Sequence, residues 1–110
     1  MTQERYSVIS GTLELLVLKT LEAAGELHGF EILEWITART GGAFAIEEGA
    51  LYPALHRLKE RGWLTSRWAV SSRGRRAKYY RLTAEGEHSL RTEESRWLGY
   101  VEAMAEVLKA

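Results

Sequence analysis

Apolar positions recur at helical spacing three times along the chain before the pattern changes. Leu13, Leu16, Val17, Thr20, Leu21 and Ala24 predict a first helix over residues 10–24, with Ser10 as N-cap and Gly25 as stop. Ile32, Leu33 and Ile36 predict a second over 28–40, closed by Gly41-Gly42. Leu51, Leu55 and Leu58 make a narrow stripe on a third, over 47–62. Glu47 and Glu48 suit its N-terminal dipole, and Gly62 suits its end. Pro53 fits this helix only in or near the first turn, where N–H groups lack intrahelical partners. After Gly62 the preference turns to strand. Trp63–Val70 and Ala77–Leu82 are rich in β-preferring residues, and Ser71–Arg76 is a turn by composition. Thr83 then caps a last helix over 84–109, about 39 Å long.

That last helix carries Leu90, Glu94, Trp97, Val101, Met104 and Leu108 in alternating steps of fours and threes, a heptad seam spoiled only by Glu94. It is long for a chain of 110 residues. Its seam, with Leu98 beside it, therefore predicts a second subunit as partner. Three helices followed by a hairpin is the order of a winged helix-turn-helix. The expected fold is mainly α with a small β-hairpin. Residues 1–83 would form the DNA-binding unit, with the wing at about 63–82, and residues 84–110 a dimerisation helix.

Charge sharpens this picture. Overall the formal net charge is zero, but residues 57–81 hold nine Lys/Arg against Glu60 alone. Such a concentration suits a polyanion, with a solvated basic face as the plain alternative. On the third helix Gly49, Pro53, His56 and Arg57 face away from the leucines, with Tyr52 on the flank. A helix of this kind fits the major groove. Arg73, Arg75, Arg76 and Lys78, on or beside a Gly-containing turn, could follow a phosphate backbone. Arg67 and Arg81, within the strands, read as solvated.

Several function classes lack support. The chain has no cysteine and no aspartate, which removes disulfides and thiolate metal sites. His28, His56 and His88 have no metal-ligand spacing, and no nucleophile elbow or phosphate-binding loop is present. The sequence predicts no enzyme activity, no metal and no cofactor. It shows no membrane-length apolar run and no signal-peptide pattern, so a cytoplasmic location is the default. His28 reads as a polar cap at a helix start. Trp63 and Trp68 read as rings that fasten the hairpin to the helices, and Tyr79 and Tyr80 as packing residues.

The residues also carry a family resemblance. Gly11-Thr12-Leu13-Glu14-Leu15-Leu16-Val17-Leu18 and Leu27-His28-Gly29-Phe30-Glu31-Ile32 resemble the opening of PadR-type transcriptional regulators. Gly49–Leu58 with Gly62-Trp63 is similar to their recognition helix, and Arg75–Gly86 to the end of their wing. Position 50, where that family often has Thr or Ser, is Ala50, and Phe30 stands in place of the more usual Tyr. The resemblance implies a homodimeric repressor of the compact type, bound to double-stranded DNA at an inverted repeat. DNA would meet Gly49, Ala50, Tyr52, Pro53, His56, Arg57 and the basic wing. Release by a small hydrophobic or aromatic ligand is allowed by the resemblance, with Trp97, Tyr100 and Met104 as its site; the plain reading of Trp97 is the dimer seam. A second reading stands beside the first: a winged-helix module that docks proteins without specific DNA binding.

Overall fold

The computed structural model describes residues 4–9 and 11–110. The element order is α1 (Thr12–Ala24), β1 (Leu27–His28), α2 (Gly29–Arg39), α3 (Glu48–Glu60), β2 (Leu64–Val70), β3 (Arg76–Leu82) and α4 (Ala84–Leu108). The three strands form one antiparallel sheet in the order β1-β3-β2. The chain is thus a winged helix-turn-helix followed by a long helix. The expected cap Ser10 lies outside the described residues; Gly11, with φ +88°, occupies the N-cap position.

The helical stripes become the core. Val17 and Leu18 of α1, Ile32 of α2, and Leu51, Leu55 and Leu58 of α3 are fully buried together. Burying each such side chain contributes about 1.5–3 kcal/mol. Leu64 and Tyr80 seal the sheet against this cluster. Thr20, the one buried polar residue of the described core, donates its hydroxyl to the Leu16 carbonyl at 2.7 Å.

Local chemistry sets the boundaries. The Nδ1 of His28 accepts from the Glu31 N–H while the Glu31 carboxylate accepts from the His28 N–H, a reciprocal cap that starts α2. Thr83 caps α4 by accepting from the Gly86 N–H at 3.0 Å, and its hydroxyl donates to the Gly62 carbonyl at 2.6 Å. The start of α4 thereby lies hard against the turn after α3. A Cβ at Gly86 would collide with the Trp63 carbonyl oxygen, so this crossing requires glycine.

Four sequence expectations change. The sequence periodicity gives no sign of strand β1, which is two residues long and pairs Leu27 with Tyr80 and His28 with Tyr79. Pro53 lies in the second turn of α3, the sixth helical residue, which deprives the Gly49 carbonyl of its helical donor. Trp68 does not fasten the hairpin: it is 59% exposed. Leu90 is fully buried within this chain, so it is a core residue and not part of a subunit seam. The heptad pattern misassigned it because the first turns of α4 pack on α1 and β3 of the same chain. From Leu98 onward every residue of α4 is exposed.

Candidate nucleic-acid interface

Alternation along the paired strands divides the hairpin into two faces. Leu64, Ser66, Trp68 and Val70 of β2 lie opposite Leu82, Tyr80, Lys78 and Arg76 of β3. This face carries the core residues at its base and continues outward beyond the body of the domain. Tyr52 from α3, Gly29 and Phe30 from the start of α2, and Trp68, Arg73, Arg76 and Lys78 from the wing line one open cleft of about 710 Å³. Recognition helix, helix-2 start and wing therefore converge on a single concave surface.

Cations and aromatic rings interleave there. Arg76 stacks on the Trp68 ring at 5.2 Å and Lys78 approaches the same ring at 5.9 Å. The guanidinium of Arg73 at the wing tip lies 5.9 Å from the Phe30 ring. Among the described residues, no carboxylate forms a salt bridge with Arg73, Arg75, Arg76 or Lys78. Glu31 and Glu34 of α2 also line the cleft but form no salt bridge with these cations. Gly74 at φ +75° closes the turn that presents them, and the Ser71 N–H donates to the Arg75 carbonyl at 2.7 Å.

On α3 the outward ridge is Gly49, Pro53 and His56, all exposed, as the wheel predicts. His56 pairs with Glu60 one turn on at 2.6 Å. Tyr52, half-exposed, folds over the start of α2. A Cβ at Gly29 would meet the Tyr52 hydroxyl at 2.8 Å, so the bare backbone of Gly29 makes room for the ring. On the opposite flank Ala50 is exposed beside α1, and Arg57 is held by Glu14 of α1 through bonds of 2.6 and 3.0 Å. Partial burial pushes the Glu14 carboxyl up, but the hydrogen bond and charge of Arg57 outweigh it and hold the carboxyl below its ordinary value. Thus the structure brings Tyr52 and the wing residues to one cleft and puts Arg57 outside it.

Sequence reasoning missed Lys59. It lies seven residues after Tyr52, two turns along the same flank of α3. The positive charge of Lys78 on the wing lowers the Lys59 ammonium below its ordinary value. The signals in the sequence were its place in the basic segment 57–81 and the seven-residue spacing from Tyr52.

A second surface lies on the far side of α1. Tyr6 and Ile9 of the N-terminal arm, Leu15 and Leu16 of α1, Phe44, and Trp97 and Leu98 of α4 line an apolar groove of about 590 Å³. Trp97 stacks on Tyr100, with ring centroids 5.6 Å apart. The exposed Val101, Met104 and Leu108 continue this strip along α4. Among the described residues no cluster of His, Cys, Asp or Glu could hold a metal ion, and no helix is long and apolar enough to cross a membrane.

Comparison with known proteins agrees with this architecture. Residues 17–92 match the model of the Transcriptional regulator PadR-like family. An uncharacterized protein of Lysinibacillus sphaericus is 30% identical over 93 residues, 84% of each chain. A transcriptional regulator from Clostridium thermocellum superposes with a TM-score of 0.80 at 28% identity, covering 89% of this chain and 94% of that one. A PadR family transcription regulator from Clostridium difficile gives 0.75 at 31% identity, covering 89% and 99%. One from Eggerthella lenta gives 0.75 at 34%, covering 89% and 82%.

Proposed function

The chain belongs to the PadR-like family of transcriptional regulators, and from that premise we propose that it is a homodimeric repressor that binds an inverted-repeat operator. The observation that carries the DNA-binding half is the cleft in which Tyr52 of α3 lies beside Arg73, Arg75, Arg76 and Lys78 of the wing, none of them salt-bridged to a carboxylate among the described residues. Helix α3 enters the major groove, and the wing follows the adjoining backbone. Two-fold symmetry sets the two recognition helices about 34 Å apart, one turn of duplex.

The dimer half rests on α4. Its outer turns leave Leu98, Tyr100, Val101, Met104, Val107 and Leu108 exposed, an apolar strip open to solvent. A second copy of α4, seated along this strip and the groove beside α1, removes that surface from water. An aromatic effector that inserts beside Trp97 changes the angle between subunits. It then favours a spacing that no longer fits the operator, a population shift that releases DNA.

Titration of the protein against its own upstream intergenic duplex and an unrelated duplex, at several salt concentrations, tests the DNA reading. Tight, selective binding with a steep salt slope is expected. Weak binding that ignores salt would instead support a protein-docking module. Sedimentation of the free protein tests the dimer: a monomer at micromolar concentration would overturn it.

A further inference from the structure

Trp68 is an exposed ring on the cleft face of the wing, and it sits among cations. Its partner across the sheet is Lys78, and Arg76 is the next residue of β3 on that face. The ring centroid lies 5.2 Å from the Arg76 guanidinium and 5.9 Å from the Lys78 ammonium, and all three residues line the cleft. Residues two apart on a strand stand about 6.8 Å apart on one face, so these two positive charges oppose each other. The negative face of an indole attracts a cation and leaves its charge in place. A carboxylate would cancel it. Of the acids in the cleft, Glu31 is engaged at the start of α2, where it accepts from the His28 N–H at 3.1 Å. Among the described residues no carboxylate forms a salt bridge with Arg76 or Lys78.

We infer that Trp68 is a positioning residue of the wing: its indole holds Arg76 and Lys78 in place for two successive phosphates of one DNA strand. The inference rests on the reading of this cleft as the DNA-binding face. Two-residue spacing on a strand is close to the spacing of neighbouring phosphates along a backbone. Long basic side chains lose rotamer freedom when they grip an anion, and a ring that already confines them reduces that loss. A guanidinium lying over an indole keeps its N–H groups free around its rim, so it meets ring and phosphate together. The ring itself touches neither base nor phosphate. It acts on affinity for the backbone and not on choice of sequence.

The test uses the full chain, titrated against the upstream and the unrelated duplex over a salt series. Trp68→Ile keeps a β-preferring apolar side chain and removes the ring; Trp68→Phe restores a ring. Trp68→Ile should weaken binding to both duplexes by about threefold, the scale of an exposed cation–π contact. Its salt slope should stay that of the wild type, because every cation is still present. Trp68→Phe should recover most of the loss. Changing Arg76→Gln with Lys78→Gln should lower the slope by about 1.8, the value for two phosphates. In that background Trp68→Ile should cost nothing further. In the free protein, NMR should show ring-current shifts on the Arg76 and Lys78 methylene protons that vanish in Trp68→Ile. Wild-type affinity in Trp68→Ile, a loss that Phe does not recover, or a loss confined to the upstream duplex would overturn the positioning role alone. So would a loss that persists without Arg76 and Lys78, which would mean that the ring meets DNA directly. A wild-type protein with no salt-dependent binding to either duplex would overturn the DNA reading and the role of Trp68 together.

Discussion

The two faces of the wing are built from similar parts and are left in opposite electrostatic states. On the outer face Arg67 lies 5.8 Å from the Tyr79 ring, much as Arg76 lies 5.2 Å from Trp68 on the cleft face. The outer guanidinium is neutralised: Glu26, from the link between α1 and β1, accepts from it at 2.6 and 2.9 Å. On the cleft face, among the described residues, no carboxylate forms a salt bridge with Arg76 or Lys78. A cation's place in the sequence therefore does not reveal whether it is available to a ligand. That depends on an acid which may be 41 residues away, as Glu26 is from Arg67.

Changing Arg75→Ala with Arg76→Ala tests the cleft face most severely. Loss of two phosphate contacts should weaken duplex binding by about tenfold or more and reduce the salt slope by about 1.8. Arg67→Gln on the outer face should leave affinity within about twofold, which filter binding on the same duplex would check. Equal losses from the two faces would erase the distinction.

A subtler break comes from Gly29→Ala. The added methyl meets the Tyr52 ring and must swing it away from the start of α2. Affinity should fall about threefold to tenfold through the displaced ring, at a stability cost of about 1 kcal/mol. In a Tyr52→Ala background the same change should have little effect on either quantity, a non-additivity that a double-mutant cycle would expose.

Glu14→Gln extends the comparison to the recognition helix, where Arg57 is neutralised as Arg67 is. Freed from Glu14, Arg57 can reach a phosphate, so binding should tighten about twofold to fivefold, with a slope steeper by about 0.9. An unchanged slope would mean that Arg57 stays beside α1 whatever its partner.

The smallest effect is in acid. The Arg67 hydrogen bond holds the Glu26 carboxyl below its ordinary value of 4.5. A carboxylate whose pKa is lowered on folding contributes stability above its unfolded value, and that contribution is lost as pH falls through the folded value. Melting temperature followed from pH 7 to pH 3 should therefore drop slightly less in Glu26→Gln than in the wild type, with the difference confined below about pH 4.5.

Much of this architecture was legible in the sequence because it is written in local periodicity. The stripes of α1, α2 and α3, the hairpin and the Thr83 cap each depend on residues within a few positions of one another. The basic turn at 71–76 was legible for the same reason. What escaped depends on distant partners. Strand β1 exists only because Tyr79 and Tyr80 offer it an edge. The burial of Leu90 depends on α1, and the tie on Arg57 comes from Glu14, 43 residues earlier. Within the cleft, residue types announced the chemistry, but pairing decided which cations stay free.

His28 sits at a junction whose importance exceeds its size. It pairs with β3 through the backbone, caps α2 with its ring nitrogen, and lies edge-on to Tyr79 at 5.3 Å. The wing is consequently not a detachable module. An engineer who grafts a foreign hairpin onto this scaffold, to redirect it to another target, must carry residues 27 and 28 along as part of the graft. Otherwise the donor strand arrives without its matching edge, and the helix that frames the cleft loses its foundation.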